Sequence, residues 1–418
     1  MSRPGAHPGP RAAVTLDDIH AAAARIAAGI SRTPCPASIP LSELTGCRVW
    51  CKLDLMQRTG SFKERGARNA LEQLTARARS RGVVAASAGN HALGLAWHGK
   101  LLGIPVTVVM PRFAPLVKVA TCRRLGARVV LEGESFEDAR ALAVELAARE
   151  GLERIHGFDD PRVIAGQGTM ALEILEEIPD AEALVVPVGG AGLLAGVAVA
   201  AKAIRPGIRI VAVEPAAAGS LSASLAAGHP VQVPLRPTLA DGLAVGKVGE
   251  IAFPLAAPLV DRVVTVDEDL LALAVLRLSE LEKTVVEGAG AAALAALLGD
   301  ALPELRGKKV VLLLCGGNID MATLGRVIDH GLAADGRLWR FATRVMDRPG
   351  GIARLTASIA AAGASVLEIT HDRTFAGPDV FSVVVDVTVQ TADHAHVAAL
   401  RDRLIHDGFA FLPGHSST

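Results

Sequence analysis

Six short, β-branched and almost wholly apolar runs are strung along the first three quarters of this chain, and they leave it few ways to fold. They occupy residues 82–86, 106–109, 127–131, 184–186, 208–213 and 310–314, with helical stretches such as 136–149 and 165–177 between them. An apolar strand has no face to leave in water, and alternation with helices supplies the crossovers that parallel strands need. The pattern therefore predicts an α/β fold with parallel sheets covered on both faces. At 418 residues the chain exceeds what one core can use, so two or three domains are expected.

The pattern changes after residue 320. A helix is predicted to about residue 334, and Asp335-Gly336 breaks it. Then come a strand over 338–346, a helix over 351–362, strands over 365–374 and 379–390, a helix over 393–407 and a short strand over 409–412. That β-α-β-β-α-β order is the ferredoxin-like motif, and its strands alternate as a sheet with one covered face does. The expected division is a catalytic domain over 15–330 with a small lobe at about 52–160, a linker over 331–337, and a separate domain over 338–418. At the other end, Thr15 and Asp18 form a capping box for a helix over about 16–30. Residues 1–14 carry no apolar core of a signal peptide and read as a disordered tail.

Composition excludes several classes of function. Lys plus Arg and Asp plus Glu both number 43, so nothing favours nucleic acid or an anionic membrane. Residues 183–201 lack charge, but Pro187 and four glycines divide them into strand, turn and helix, which is no membrane span. Five cysteines, at 35, 47, 51, 122 and 315, show neither metal-ligand spacing nor a disulfide framework, which suits a reducing cytoplasm.

Three glycine-rich turns each follow a buried strand: Ser87-Ala88-Gly89-Asn90-His91, Gly189-Gly190-Ala191-Gly192-Leu193 and Cys315-Gly316-Gly317-Asn318. Ligands of open parallel sheets sit beyond the carboxyl ends of strands, so the three turns are expected to line one crevice. The second has the form of a phosphate cradle, with backbone amides and a helix start near Leu193. A ligand-free turn is the plain alternative. A rival is dinucleotide binding, because Gly190-x-Gly192-x-x-Ala195 fits that fingerprint and Glu214 ends the next strand. That fingerprint normally marks the first βα unit of a domain, however, and several units precede it here.

Lys63 follows Thr59-Gly60-Ser61-Phe62 and precedes Glu64-Arg65-Gly66-Ala67. A lysine that loses water titrates low, and its neutral amine condenses with carbonyls to a Schiff base. The bland alternative is a helix-surface lysine, suggested by its charged neighbours.

Taken in order, Thr-Gly-Ser-Phe-Lys-x-Arg-Gly-Ala, Ser-Ala-Gly-Asn-His, the glycine turn, Glu287-Gly288-Ala289-Gly290-Ala291 and Cys-Gly-Gly-Asn-Ile-Asp resemble the threonine and serine dehydratases. These are pyridoxal-phosphate enzymes of fold type II, the tryptophan-synthase-β class, and the likeness runs from about Thr15 to Gly331. The resemblance implies that Lys63 holds pyridoxal 5'-phosphate, with Phe62 among the cofactor contacts. It assigns the phosphate to the backbone of Gly189, Gly190, Ala191, Gly192 and Leu193, the ring hydroxyl to Asn90 and the ring nitrogen to Cys315. Ser87, Ala88, Gly89, Asn90 and His91 would receive the substrate carboxylate. Taken singly, Asn90 also reads as a loop-capping amide and Cys315 as a buried small residue.

The implied reaction is loss of water from L-threonine and hydrolysis of the released enamine to 2-oxobutanoate and ammonia, with L-serine giving pyruvate and ammonia in the same way. Lys63 would remove the α-proton, and the cofactor phosphate is the usual acid for the departing hydroxyl. A thiol at Cys315 is a weak donor and leaves the ring nitrogen unprotonated. Two departures stand out: many relatives have glycine at Ala191, and many have serine at Cys315. Serine racemase resembles the chain too, but its second base is a serine where this chain has Ala88. Six residues after Glu214 stands Ser220, where the racemase metal site needs an acid, so no divalent-metal site is expected, while a monovalent ion at backbone carbonyls stays open. The last domain, with Asp347, Arg348, Pro349, Gly350 and Gly351 at its first turn, resembles an ACT regulatory domain. It implies an amino-acid effector, isoleucine or valine if the role is isoleucine biosynthesis, and a homo-oligomer, dimer or tetramer. A non-catalytic amino-acid sensor is the reading from another class.

Overall fold

The computed structural model describes residues 14–372 and 381–412, so the tail expected at the N-terminus lies almost wholly outside it. Two compact units emerge, one of residues up to Leu271 with Leu278–Asp320, the other of Ala272–Arg277 with the residues from Met321 onward.

The first unit holds two sheets. In chain order its strands are β1 (Ala37–Ser38), β2 (Arg48–Lys52), β3 (Val83–Ala86), β4 (Val106–Met110), β5 (Arg128–Leu131), β6 (Glu153–Arg154), β7 (Ala183–Pro187), β8 (Arg209–Pro215), β9 (Arg262–Val266) and β10 (Lys309–Leu313). The smaller sheet runs β5-β4-β3-β6 and is parallel throughout. The larger runs β1-β2-β10-β7-β8-β9 and is parallel except for β1, which pairs antiparallel with β2. Every predicted strand of this unit is present within a residue or two, and the central ones have their apolar residues buried on both faces, as in β7, whereas β5, at a sheet edge, is only partly buried. Helix Gly288–Leu298 packs over β7, β8, β9 and β10. Its residues 288–297 are all buried, which explains why it carries no polar face at all. The five cysteines are free thiols, all buried.

In the second unit β11 (Leu338–Met346), β12 (Ser365–Asp372) and β13 (Ser382–Gln390) form an antiparallel sheet in the order β11-β13-β12. Helices Gly351–Ala361 and His394–His406 contribute Leu355, Ile359, Leu400 and Leu404 to a core shared with Phe341, Val345, Val385 and Val387. The β-α-β-β-α order is as the sequence predicts. The last expected strand is reduced to one antiparallel bridge, Thr343 with Phe411. Adjoining ends of the two strands expected at 365–374 and 379–390 lie outside the described residues.

Candidate active site

The loop before Lys63 is laced to the end of β10. Leu55 N–H donates to Leu314 O at 3.0 Å, Phe62 N–H to Cys315 O at 2.9 Å and Gly317 N–H to Gly60 O at 3.0 Å, while Ser61 bridges to Gly316. Helix Lys63–Glu72 then starts at the lysine itself. Its charged neighbours are not on the surface. Arg65, fully buried, donates to both oxygens of Asp54 (2.8 and 2.7 Å) and to both of Glu173 (2.6 and 2.8 Å). Lys52 joins Glu173 at 2.6 Å, and Thr33 Oγ1 donates to Asp54 at 2.7 Å. Burial pushes the Asp54 carboxyl up, but the Arg65 guanidinium outweighs it and holds the group below its usual range. Glu64 reaches the His98 ring at 3.0 Å and accepts from Thr59 N–H. A Cβ on Gly66 would lie 2.6 Å from Gln167 Nε2, so glycine alone lets helix Pro161–Glu177 come so near. The lysine is thus mounted on a helix fixed at its first turn.

Lys63 Nζ donates to Gly157 O at 2.8 Å and lies 5.0 Å from the Phe62 ring centroid. Burial lowers its pKa to about 8, with Cys315 and Glu287 acting in the opposite sense. An amine in this setting supplies a nucleophile or base near neutral pH.

The Gly189–Leu193 turn leads from β7 into helix Gly192–Ile204, which starts at Ala191 with no side-chain cap. Ala191 holds φ 67° and ψ 2°, a left-handed conformation that an L side chain adopts reluctantly. Relief of that strain, about 1 kcal/mol, is offset by a lost buried methyl of about 0.8 kcal/mol. Ala191→Gly is therefore expected to leave stability within about 1 kcal/mol of the parent, whereas Ala191→Val, β-branched at positive φ, should lose on the order of 2 kcal/mol. Urea unfolding of the two variants measures both. Across the turn, Asp159 accepts from the N–H groups of Glu250 (3.0 Å), Ile251 (2.8 Å) and Ala252 (3.1 Å), and Gly249 N–H donates to Gly190 O at 3.1 Å.

Helix Asn90–Leu102 likewise starts uncapped, at Gly89, with the Ser87 hydroxyl accepting from Gly89 N–H at 3.3 Å. Ala88 is half-buried against the core of the smaller sheet. His91 is buried with Nε2 3.4 Å from Ile155 O, and burial lowers its pKa to about 3, so the ring is neutral. Asn90 Nδ2 donates to Glu287 Oε1 at 2.7 Å, and Asn318 Nδ2 donates to Asn90 Oδ1 at 2.9 Å and to Thr59 O at 2.6 Å. Cys315 Sγ donates to Leu313 O at 3.1 Å, and burial pushes its thiol well up, so it stays protonated.

A family model described as pyridoxal-phosphate dependent enzyme matches residues 26–316. The chain belongs to that family. It is 43% identical over 396 residues to an L-threonine ammonia-lyase of Thermotoga maritima, covering 95% of this chain and 98% of that protein. The solved structure of maize serine racemase matches at TM-score 0.73 and 37% identity, over 75% of this chain and 96% of that one. The processed form of threonine deaminase isoform 2 from Solanum lycopersicum matches at TM-score 0.72 and 37% identity, over 75% of this chain and 86% of that one.

The residues fit the cofactor of this pyridoxal-phosphate family. A partly buried, low-pKa amine, a glycine turn leading into an uncapped helix start, and a neutral thiol are groups of the kinds an aldehyde, a phosphate and a pyridine nitrogen require. The dinucleotide rival loses its acid. Glu214 accepts from Leu221 N–H (2.9 Å) and Ser222 N–H (3.1 Å), holding the start of helix Ser220–Ala227 instead of facing a ribose. Sequence reasoning missed Gly157 and Asp159, and it placed Glu287 in a motif and Asn318 in a crevice-lining turn without giving either a role of its own. For Glu287 a signal existed: an acid directly before a long charge-free helix has little reason to be exposed.

Proposed function

We propose that the chain is an L-threonine ammonia-lyase, eliminating water from L-threonine to yield 2-oxobutanoate and ammonia, with L-serine a second substrate giving pyruvate. The observation that carries this reading is the setting of Lys63, a low-pKa amine fixed on its helix, with the uncapped start of the Ser87–His91 turn as the carboxylate cradle. The likeness to the Thermotoga ammonia-lyase along nearly the whole of both chains supports it. Lys63 would hold the cofactor, the amides from Gly189 to Leu193 its phosphate, Asn90 its ring hydroxyl and Cys315 its ring nitrogen, with Phe62 alongside. When bound, pyridoxal phosphate draws electron density from the substrate's α-carbon.

The protein's own groups do the rest. The amides at Ser87 to Asn90 bind the substrate carboxylate, which fixes the α-proton on the face of Lys63 Nζ. Lys63, its pKa lowered to about 8 so that a usable fraction is neutral near physiological pH, takes that proton. The Cys315 thiol donates only weakly, so negative charge at the α-carbon is poorly stored and the β-hydroxyl leaves promptly as water, its proton supplied by the phosphate that the Gly189–Leu193 amides would hold. Ala88 offers no acid on the opposite face, which disfavours the racemase outcome.

The second unit fits an ACT-like regulatory role through its antiparallel sheet and its turn at Asp347–Gly351, from which helix Gly351–Ala361 starts uncapped at Gly350. On this reading the effector is an amino acid such as isoleucine or valine, the enzyme is a cytoplasmic homo-oligomer, and the pathway is isoleucine biosynthesis. Timing 2-oxo acid release from L- and D-threonine and L- and D-serine, with and without isoleucine and valine, tests the substrates and the effector. L-Threonine should be consumed and both D-forms left intact. D-Serine accumulating from L-serine faster than pyruvate would overturn the argument from Ala88.

A further inference from the structure

Glu287 has a backbone position from which an acid normally caps its own helix, yet its side chain makes no cap hydrogen bond to helix Gly288–Leu298. It is 5% exposed and turned instead toward Asn90, whose Nδ2 donates to it at 2.7 Å. Two features hold it there. Its own N–H donates to Gly316 O at 3.0 Å, and a Cβ on Gly316 would lie 2.1 Å from Glu287 Oε1, so the turn that carries Cys315 is shaped around this carboxyl.

The direction of the chain of bonds is fixed. Asn318 Nδ2 must donate to the Thr59 carbonyl, and it also donates to Asn90 Oδ1, which leaves Nδ2 of Asn90 for Glu287. That nitrogen has two hydrogens and Glu287 takes one. We propose that Glu287 is a positioning residue that orients Asn90, leaving the second amide hydrogen for the ring hydroxyl of the bound cofactor and coupling that hydroxyl to its own carboxyl. The proposal rests on the reading that Asn90 meets the ring hydroxyl.

Burial raises the Glu287 carboxyl to about 7, Asp241 adds to the rise, and Lys118, Asn90 and the Asn318 N–H oppose it. Asp241 comes from the turn Asp241–Leu243 and Lys118 from helix Leu116–Arg124; Lys63 and Cys315 also interact electrostatically with the carboxyl. A proton therefore leaves Glu287 near pH 7, and Asn90 then faces a charged acceptor in place of a neutral one.

The test is a pH titration of the visible band of the holoenzyme, beside the cofactor dissociation constant. The wild-type band should change with a midpoint near pH 7, and Asp241→Asn should move that midpoint to lower pH. Glu287→Gln keeps an acceptor for Asn90 and removes the titration, so its band should be flat through that range with cofactor affinity held within about two-fold. Glu287→Ala should weaken cofactor binding by roughly ten-fold, because Asn90 loses its buried acceptor. Circular dichroism of the glutamine variant secures the comparison if the alanine variant fails to fold. A Glu287→Gln band that titrates like wild type overturns the proposal and leaves the cofactor site intact. A wild-type holoenzyme with no visible band overturns both.

Discussion

Lys63→Ala is expected to cost at least on the order of 10⁴-fold in turnover and to leave the purified protein colourless, because one amine both anchors the cofactor and moves the α-proton. Steady-state 2-oxo acid release and the visible spectrum of the same sample check the two losses together. A variant that stays yellow would place the anchoring amine elsewhere. The wild-type protein stripped of cofactor gives a second handle. With its pKa lowered from 10.5 to about 8, roughly a quarter of Lys63 is neutral at pH 7.5, against about one in a thousand for an ordinary lysine. The rate at which colour returns on adding pyridoxal phosphate should rise with pH and level off above about 8, since only the neutral amine attacks the aldehyde. A rate that keeps rising to pH 10 would show that burial does not lower this amine.

The second large effect is structural. Arg65→Ala leaves Asp54 and Glu173 facing each other without their shared cation, and removing one partner from a buried ion cluster costs on the order of 3–5 kcal/mol. The urea midpoint of cofactor-free protein measures it. A loss below about 1 kcal/mol would mean that water or a rearranged Lys52 takes over. The cluster also sets an acid limit. Because folding lowers the Asp54 pKa, its contribution is whole above the unfolded value near 3.8 and is lost as the pH falls through the still lower folded value. In Arg65→Ala burial is left as the main influence on Asp54 and raises its pKa, so this acid-side loss should disappear and the variant's deficit against wild type should shrink as the pH falls.

Strands β3, β4, β5, β7, β8 and β10 were legible because their own residues decide their fate: an unbroken run such as Val310 to Leu314 is buried whatever surrounds it. Strand β2 was not. Arg48-Val49-Trp50-Cys51-Lys52 has charged ends, and Lys52 is fully buried only because Glu173, far along the chain, accepts from it. The Lys63 helix failed the same way. Its sequence, Lys63-Glu64-Arg65-Gly66-Ala67-Arg68-Asn69, suits a wet surface, and the partners that turn it inward are Asp54, His98 and Glu173. At the site, Lys63 and the three turns announce themselves through local chemistry. Gly157 contributes only a carbonyl oxygen, which every residue owns, and nothing in its side chain could mark it.

Buried thiols give the folded chain a useful silence. Burial raises Cys35 to about 12 and Cys122 to about 11 and moves Cys47, Cys51 and Cys315 upward as well. An alkylating reagent at neutral pH finds no thiolate until the structure opens. Labelling then becomes a clock with two hands. Cys122 lies in the core of the smaller sheet, Cys35 and Cys315 in that of the larger, so the order of modification reports which half of the enzyme yields first.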